Sequence, residues 1–315
     1  MSRVAAVDCG TNSLRLLITD HTGGEVHHVT RLNNIIRLGE GVDETGRISD
    51  AALQRARTVL SDYVSIMERE DVRAVRMVAT SATRDASNQE EFFAMTEELL
   101  GVIQPGARAE VISGEEEAAL SFVGATLDVP HRDSPTLVID LGGGSTEFVV
   151  GIPETGELAG AYSTRMGCVR MTERFLHTEP PTDEEIAQAR QWVRDQLDIM
   201  MAAVPLTTAT TAVGCSGTFT TLSAVAQGLE EYDPQHIHMS HLRSEGLHVI
   251  TEDLLHQTPA QREESPVILP GRADVLGGGA IIVQEILSLL NEHLGLTELF
   301  VSEQDILDGI VAGLR

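Results

Sequence analysis

Lysine is absent from this chain. All 22 basic residues are arginine, set against 48 aspartates and glutamates. Chemistry that needs a lysine is therefore excluded: a P-loop lysine, a Schiff base, attachment of pyridoxal phosphate. Basic charge is scarce overall, and the formal net charge of −26 is opposite to the footprint that binds a nucleic-acid backbone. No nucleic-acid partner is expected. Cysteine is limited to Cys9, Cys168 and Cys215. That odd count without metal-ligand spacing argues against a disulfide framework and reads as small buried thiols. Long apolar runs are missing too: nothing approaches the ~20 consecutive residues of a membrane span. The N-terminus enters a strand almost at once, with no basic region followed by an apolar core. A cytoplasmic protein with no membrane partner is the expectation.

What the chain does have is a recurring turn. Asp8-Cys-Gly-Thr-Asn-Ser13 returns in altered form as Asp140-Leu-Gly-Gly-Gly-Ser145. Each copy follows a short apolar run (Val4 to Val7, Leu137 to Ile139) and precedes another (Leu14 to Ile18, Phe148 to Ile152), a strand–turn–strand pattern met twice. Such a turn directs successive backbone N–H groups inward, and that concavity holds anions such as phosphate. Thr11, Asn12 and Ser13 in the first copy, and Gly142, Gly143, Gly144 and Ser145 in the second, are the expected phosphate binders. Asp8 and Asp140 stand at the two entrances, with Glu147 just beyond the second turn. Carboxylates beside a phosphate site suit Mg²⁺, which takes oxygen ligands and keeps several waters, so Asp8, Asp140 and Glu147 are the expected metal residues.

With 315 residues and 42% apolar content, about two domains are expected. Apolar positions from Leu53 to Met67 recur at helical spacing, a strand is expected over 75–79, and a polar loop over 80–85. Ser113-Gly-Glu-Glu116 fits a capping box opening a helix, and Thr182 with Glu185 fits a second. Asp128 to Pro135, polar with two prolines, marks the boundary between domains. A strand over 210–214 leads into Cys215-Ser-Gly-Thr218. A long helix is expected over 274–293 and a terminal one capped by Ser302. His236, His238 and His241 are expected in a polar loop rather than on zinc.

Five ordered segments together resemble the exopolyphosphatase and guanosine pentaphosphate phosphatase family: Val7 to Ser13, Ala79 to Arg84, Ile112 to Ala118, Ile139 to Glu147 and Gly214 to Thr218. The resemblance runs the length of the chain. It implies an α/β protein of two ribonuclease-H-like lobes, as in the actin, hexokinase and chaperone ATPase superfamily, with a phosphate cleft between them. The lobes expected are 1–124, to which 301–315 returns, and 125–300. Larger members of the family carry further C-terminal helical domains, and this chain ends before any such region.

The resemblance also implies roles. Glu117 matches the catalytic glutamate, the general base that activates water, with Glu116 as the neighbouring alternative. Arg84 becomes a clamp on the transferring phosphoryl group, a task its guanidinium fork suits; pairing with Asp85 on the surface is the competing reading. Ser216, Gly217 and Thr218 resemble the loop that approaches a nucleoside in related kinases, and here contact a nucleotide or the far end of a phosphate chain. Arg165, Arg170 and Arg272 are further arginines that could meet phosphate. The expected function is release of terminal orthophosphate from inorganic polyphosphate, with Mg²⁺ (or Mn²⁺) as cofactor and a homodimer as the assembly. The alternatives are hydrolysis of guanosine pentaphosphate, a kinase or switch on the same scaffold, and a non-hydrolytic polyphosphate- or nucleotide-binding regulator.

Overall fold

A computed structural model describes residues 2–22 and 25–314. The chain forms two compact units, Met1–Leu120 with Ile306–Arg315, and Ser121–Asp305.

The first unit contains β1 (Ser2–Cys9), β2 (Ser13–Thr22), β3 (Glu25–Ile35), α1 (Val42–Thr45), α2 (Asp50–Arg69), β4 (Ala74–Ala79), α3 (Ser81–Asp85), α4 (Gln89–Leu100), β5 (Ala109–Val111), the start of α5 (Gly114–Ala125) and the terminal helix α13 (Ile306–Gly313). Its sheet runs β3-β2-β1-β4-β5. The first three strands form an antiparallel meander, whereas β4 and β5 lie parallel to β1. Strand β1 is apolar without alternation because both its faces are covered. Ala5 and Val7 pack with Leu60, Met67 and Phe92 on one side; Ala6 packs with Ile306, Leu307 and Ile310 on the other. Asp308 ties α13 down by accepting from Arg31 at 2.9 Å.

The second unit contains β6 (Thr136–Leu141), β7 (Thr146–Ile152), β8 (Glu157–Thr164), α6 (Cys168–Phe175), α7 (Asp183–Ala203), a 3-10 turn (Leu206–Thr208), β9 (Thr211–Cys215), α8 (Ser216–Ala226), α9 (Pro234–Ile237), β10 (Ser240–Arg243), α10 (Ser244–Leu255), α11 (Pro259–Arg262), α12 (Leu276–Leu294) and β11 (Glu298–Ser302). Its sheet order is β10-β11-β9-β6-β7-β8. Here β6, β7 and β8 form the meander, and β9 and β11 continue the sheet in parallel. Apart from β10, this repeats the first sheet strand for strand. Each unit is thus a ribonuclease-H-like α/β fold.

Local rules explain several element ends. Thr182 and Glu185 satisfy each other's backbone N–H groups in a complete capping box at α7. At α5 only half of the expected box forms. Ser113 Oγ accepts from the Glu116 N–H at 3.2 Å, while the Glu116 carboxylate turns to Arg76 at 2.7 Å. Two other expectations need correction. Residues 81–85 form the short helix α3 rather than a loop. Ser302 closes β11 and makes a local turn with Gln304 instead of capping the terminal helix. Among the described residues no helix is long and apolar enough to cross a membrane.

Candidate functional site

The parallel strands of the first unit end together, which decides what meets there. Cys9 lies beside Ala79 in the β1–β4 register, and Ala79 beside Val111 in β4–β5. Crossing bonds continue past the strand ends: Thr80 N–H to the Cys9 carbonyl, and Ile112 N–H to the Ala79 carbonyl. Chain leaving the carboxyl ends of three neighbouring strands is where α/β sheets place ligands. It carries the turn after Asp8, helix α3 with Arg84, and the start of α5 with Glu117.

Arg84 and Glu117 meet there. The guanidinium donates to Glu117 Oε2 at 3.0 Å and to the Ile112 carbonyl at 2.9 Å. Glu117 is 7% exposed. Glu116, one residue earlier, is exposed and bound to Arg76. The helix phase therefore separates the two glutamates: α5 turns Glu117 toward Arg84 and Glu116 toward Arg76. The competing pairing of Arg84 with Asp85 gives way to the bond with Glu117.

The first turn is held from behind. Gly10 N–H donates to the Ser13 carbonyl at 3.0 Å; the Asn12 carbonyl accepts from Ile36 and Arg37, and the Thr11 carbonyl from Gly39. A Cβ on Gly39 would fall 2.3 Å from Thr11 Cγ2. The turn's carbonyls are thus occupied from one side. Thr11 Oγ1 is a buried hydroxyl with no hydrogen-bond partner among the described residues, the kind of group that a ligand oxygen would satisfy. Asp8 faces Arg15 across the β1–β2 ladder, and Arg15 Nε and Nη2 both donate to Asp8 Oδ2, at 2.9 and 2.6 Å.

The second turn repeats this design. Gly142 N–H donates to the Ser145 carbonyl at 3.0 Å. The start of α6 then takes the turn's carbonyls: Gly142 accepts from Cys168, and Gly143 from Val169 and Arg170. Arg170 Nε donates to the Gly144 carbonyl at 3.0 Å. A Cβ on Gly167 would lie 2.4 Å from the Gly143 carbonyl carbon. Among the described residues, the N–H groups of Gly143 and Gly144 donate to nothing, consistent with a concavity facing an anion.

Asp140 and Glu147 are directly opposite on β6 and β7, hence on one face of the sheet. Both are buried, Glu147 to 1% exposure. Ser121 Oγ donates to Asp140 at 2.5 Å and Ser163 Oγ to Glu147 at 2.7 Å. Two carboxylates facing each other at low exposure favour a cation beside them. The residues fit Mg²⁺. Two carboxylates leave the remaining positions of an octahedral ion to water and phosphate oxygens. No group of three or more His, Cys, Asp or Glu that could hold a metal occurs among the described residues.

The third loop follows β9, which lies beside β6 so that Cys215 pairs with Asp140. Ser216 sits at φ 75°, a left-handed conformation unusual for serine. Arg272 lies over the loop, donating to Thr221 Oγ1 at 3.1 Å and to the Gly217 carbonyl at 3.4 Å. Arg170 is spent on the glycine turn, and Arg165 is exposed. The three cysteines are free and buried. Burial pushes the Cys168 thiol up to about 11, and it raises Cys9 well above its ordinary value with Asp8 adding to the shift. The three histidines expected in a loop are only partly so: His236 lies in α9 and pairs with Asp233, His238 follows α9 and pairs with Asp128, and His241 lies in β10.

Sequence reasoning missed Arg15, Ser121, Ser163 and the two backing segments. Arg15 had a readable signal, since it follows Asp8 by seven positions, the spacing that separates Glu147 from Asp140. The serines had none, because only the fold brings Ser121 to Asp140.

Comparison with known proteins identifies the family. The model of the Ppx/GppA phosphatase family matches residues 17–313. Exopolyphosphatase 2 of Mycobacterium tuberculosis is 49% identical over 318 residues, spanning 100% of this chain and 99% of that one. Among solved structures, an exopolyphosphatase-like protein is 41% identical with a TM-score of 0.92, covering 99% of this chain and 98% of its own. An exopolyphosphatase from Cytophaga hutchinsonii is 26% identical with a TM-score of 0.89 over 99% and 97% of the two chains. The Ppx/GppA family member of Aquifex aeolicus is 28% identical, TM-score 0.78, over the same shares, 99% and 97%.

Proposed function

Since the chain belongs to the Ppx/GppA phosphatase family and is a hydrolase acting on phosphoanhydride bonds, we propose that it releases terminal orthophosphate from short chains of inorganic polyphosphate, using water activated by Glu117. The observation that carries this reading is the buried Glu117 carboxylate held by Arg84 where the parallel strands end.

In this mechanism the turn over Thr11 to Ser13 and the turn over Gly142 to Ser145 each receive phosphate oxygens on backbone N–H groups. Arg84 transfers its guanidinium from Glu117 to the terminal phosphoryl group. The freed carboxylate takes a proton from water as the water oxygen bonds to phosphorus. The bridging P–O bond breaks, and the shortened chain leaves with the electron pair. Asp140 and Glu147 would hold Mg²⁺ (or Mn²⁺), which when bound neutralises charge on the phosphate oxygens. Asp8 orients Arg15 at the first turn. Ser216, Gly217, Thr218 and Arg272 take phosphates further along the chain. The reading also places the protein in the cytoplasm as a homodimer, which sedimentation of the purified chain would check.

The test is phosphate release from polyphosphates of defined length with Mg²⁺, with guanosine pentaphosphate alongside. Release from polyphosphate with the higher kcat/KM is the expected result. A higher kcat/KM for guanosine pentaphosphate would reassign the substrate. Retention of polyphosphate without any release would leave a non-hydrolytic binder, and transfer of label from ATP to an acceptor would indicate a kinase.

A further inference from the structure

With 48 carboxylates to 22 arginines, an arginine that forms no ion pair needs a cause. Arg262 and Arg272, both in the second unit, are two of these among the described residues. Each bonds only carbonyl or hydroxyl oxygens.

We propose that Arg262 is a positioning residue for the phosphate chain, acting through Arg272. The inference rests on the reading that Arg272 and the third loop hold phosphates. Arg262 ends α11 and is 3% exposed. Its Nε donates to the Leu254 carbonyl at the end of α10, at 2.9 Å; its Nη1 donates to the Ala273 carbonyl at 2.7 Å. Ala273 directly follows Arg272. Between α11 and α12 the chain has no regular element, so this bond is a direct restraint on the strap that carries Arg272. A Cβ on Gly277 would fall 2.8 Å from Arg262 Nη2; the guanidinium therefore also rests on the first turn of α12. One side chain ties together the end of α10, the strap and α12.

The result of that restraint is visible at the other end. The Arg272 guanidinium carbon lies 3.0 Å from where a Gly217 Cβ would stand, flat over the third loop. A small rotation of the strap would lift it off. Burying a charge to satisfy two carbonyls is costly, and burial lowers the Arg262 pKa, with the more distant Glu179 and Asp274 opposing the shift. A neutral residue would fill the space at less cost. Only the rigid fork of an arginine spans two carbonyls on separate segments while leaving positive charge near a phosphate site.

The experiment compares R262M, R262K, R272M, the double variant R262M/R272M and G277A in the full chain. Polyphosphate affinity is read twice: as KM in phosphate release, and as Kd by calorimetry in an E117Q background. R262M is expected to raise both constants about tenfold, the scale a charged hydrogen bond supports, with kcat within about twofold. R262K is expected to recover part of the loss. The double variant should bind no worse than R272M, since one residue acts through the other. Additive losses in the double variant would overturn the proposal, as would R262M with unchanged KM and Kd. If R262M does not fold, G277A decides: its methyl displaces the guanidinium from a helix that alanine otherwise favours. Weaker binding in G277A supports the proposal and unchanged binding overturns it. A wild type that binds polyphosphate but releases no phosphate ends the hydrolytic reading alone, and the calorimetric Kd then judges Arg262.

Discussion

The two glycine turns have one backbone plan and opposite charge plans. Each closes with the same Gly N–H to Ser carbonyl bond at 3.0 Å, and each has its carbonyls held by a segment from behind. Each has a glycine at the closest approach, Gly39 on Thr11 and Gly167 on Gly143. Across the strands, however, Asp8 faces Arg15 whereas Asp140 faces Glu147. A single cross-strand position thus separates the two turns: arginine faces the entrance carboxylate in the first, glutamate in the second.

The largest effect should come from the first unit's acid. Glu117→Gln should lower kcat by about 10²–10⁴-fold, the range for a lost general base, with polyphosphate affinity kept; single-turnover phosphate release measures it. A loss of only a few-fold would return the role to Glu116 or elsewhere. The next effect tests the comparison directly. Mg²⁺ at a hundred times its Kd should stabilise the wild type by about 2.7 kcal/mol in thermal melts, and Glu147→Gln should abolish that response. In metal-free buffer the same substitution should leave stability unchanged or raise it by up to about 1 kcal/mol, because facing like charges repel.

Asp8→Asn should do the reverse. It leaves Arg15 short of its counter-charge, and breaking a buried pair costs about 3–5 kcal/mol. With Arg15 15% exposed, about 2 kcal/mol is expected in denaturant melts, with or without Mg²⁺. If D8N and E147Q respond alike to the metal, the division between the turns collapses. The smallest effect lies outside both turns. Thr182→Ala should cost about 1 kcal/mol by removing the α7 cap without altering KM. The capping partner Glu185 is held down to about 2 from 4.5, first by the Thr178 hydroxyl and then by the Thr182 N–H. A depressed carboxylate stabilises the fold above its ordinary value and loses that contribution as pH falls. The melting difference between wild type and E185Q should therefore shrink from pH 4.5 down to about 2.

Much of this was legible in the sequence, for reasons that differ by element. The strand–turn–strand repeats declared themselves because an apolar run, a glycine turn and a second run are all local. The α7 cap was equally plain, since Thr182 and Glu185 are three residues apart and satisfy each other. Helix α3 was not, because Ser81 to Asp85 has the composition of a loop and is helical only as it packs after β4. Strands β8 and β10 and helices α6 and α10 also went unread. Strand β8 is an exposed edge with little apolar alternation, and α6 begins at a glycine with no side-chain cap. At the site, the resemblance could name Glu117 and the capping box could set Glu116 apart, but nothing local placed Glu117 beside Arg84.

The order of residues alone determined the paired turns, the carboxylates at their entrances and the exclusion of lysine chemistry, because all three depend on near neighbours or on composition. Tertiary structure decided which acid meets which partner. Glu117 reaches Arg84 through the phase of α5 and the parallel order of β1, β4 and β5, and Ser121 reaches Asp140 through packing. Arg262 reaches the Ala273 carbonyl across an irregular strap. Such pairings join segments far apart in the chain, where spacing carries no information and only the closed fold sets the distance.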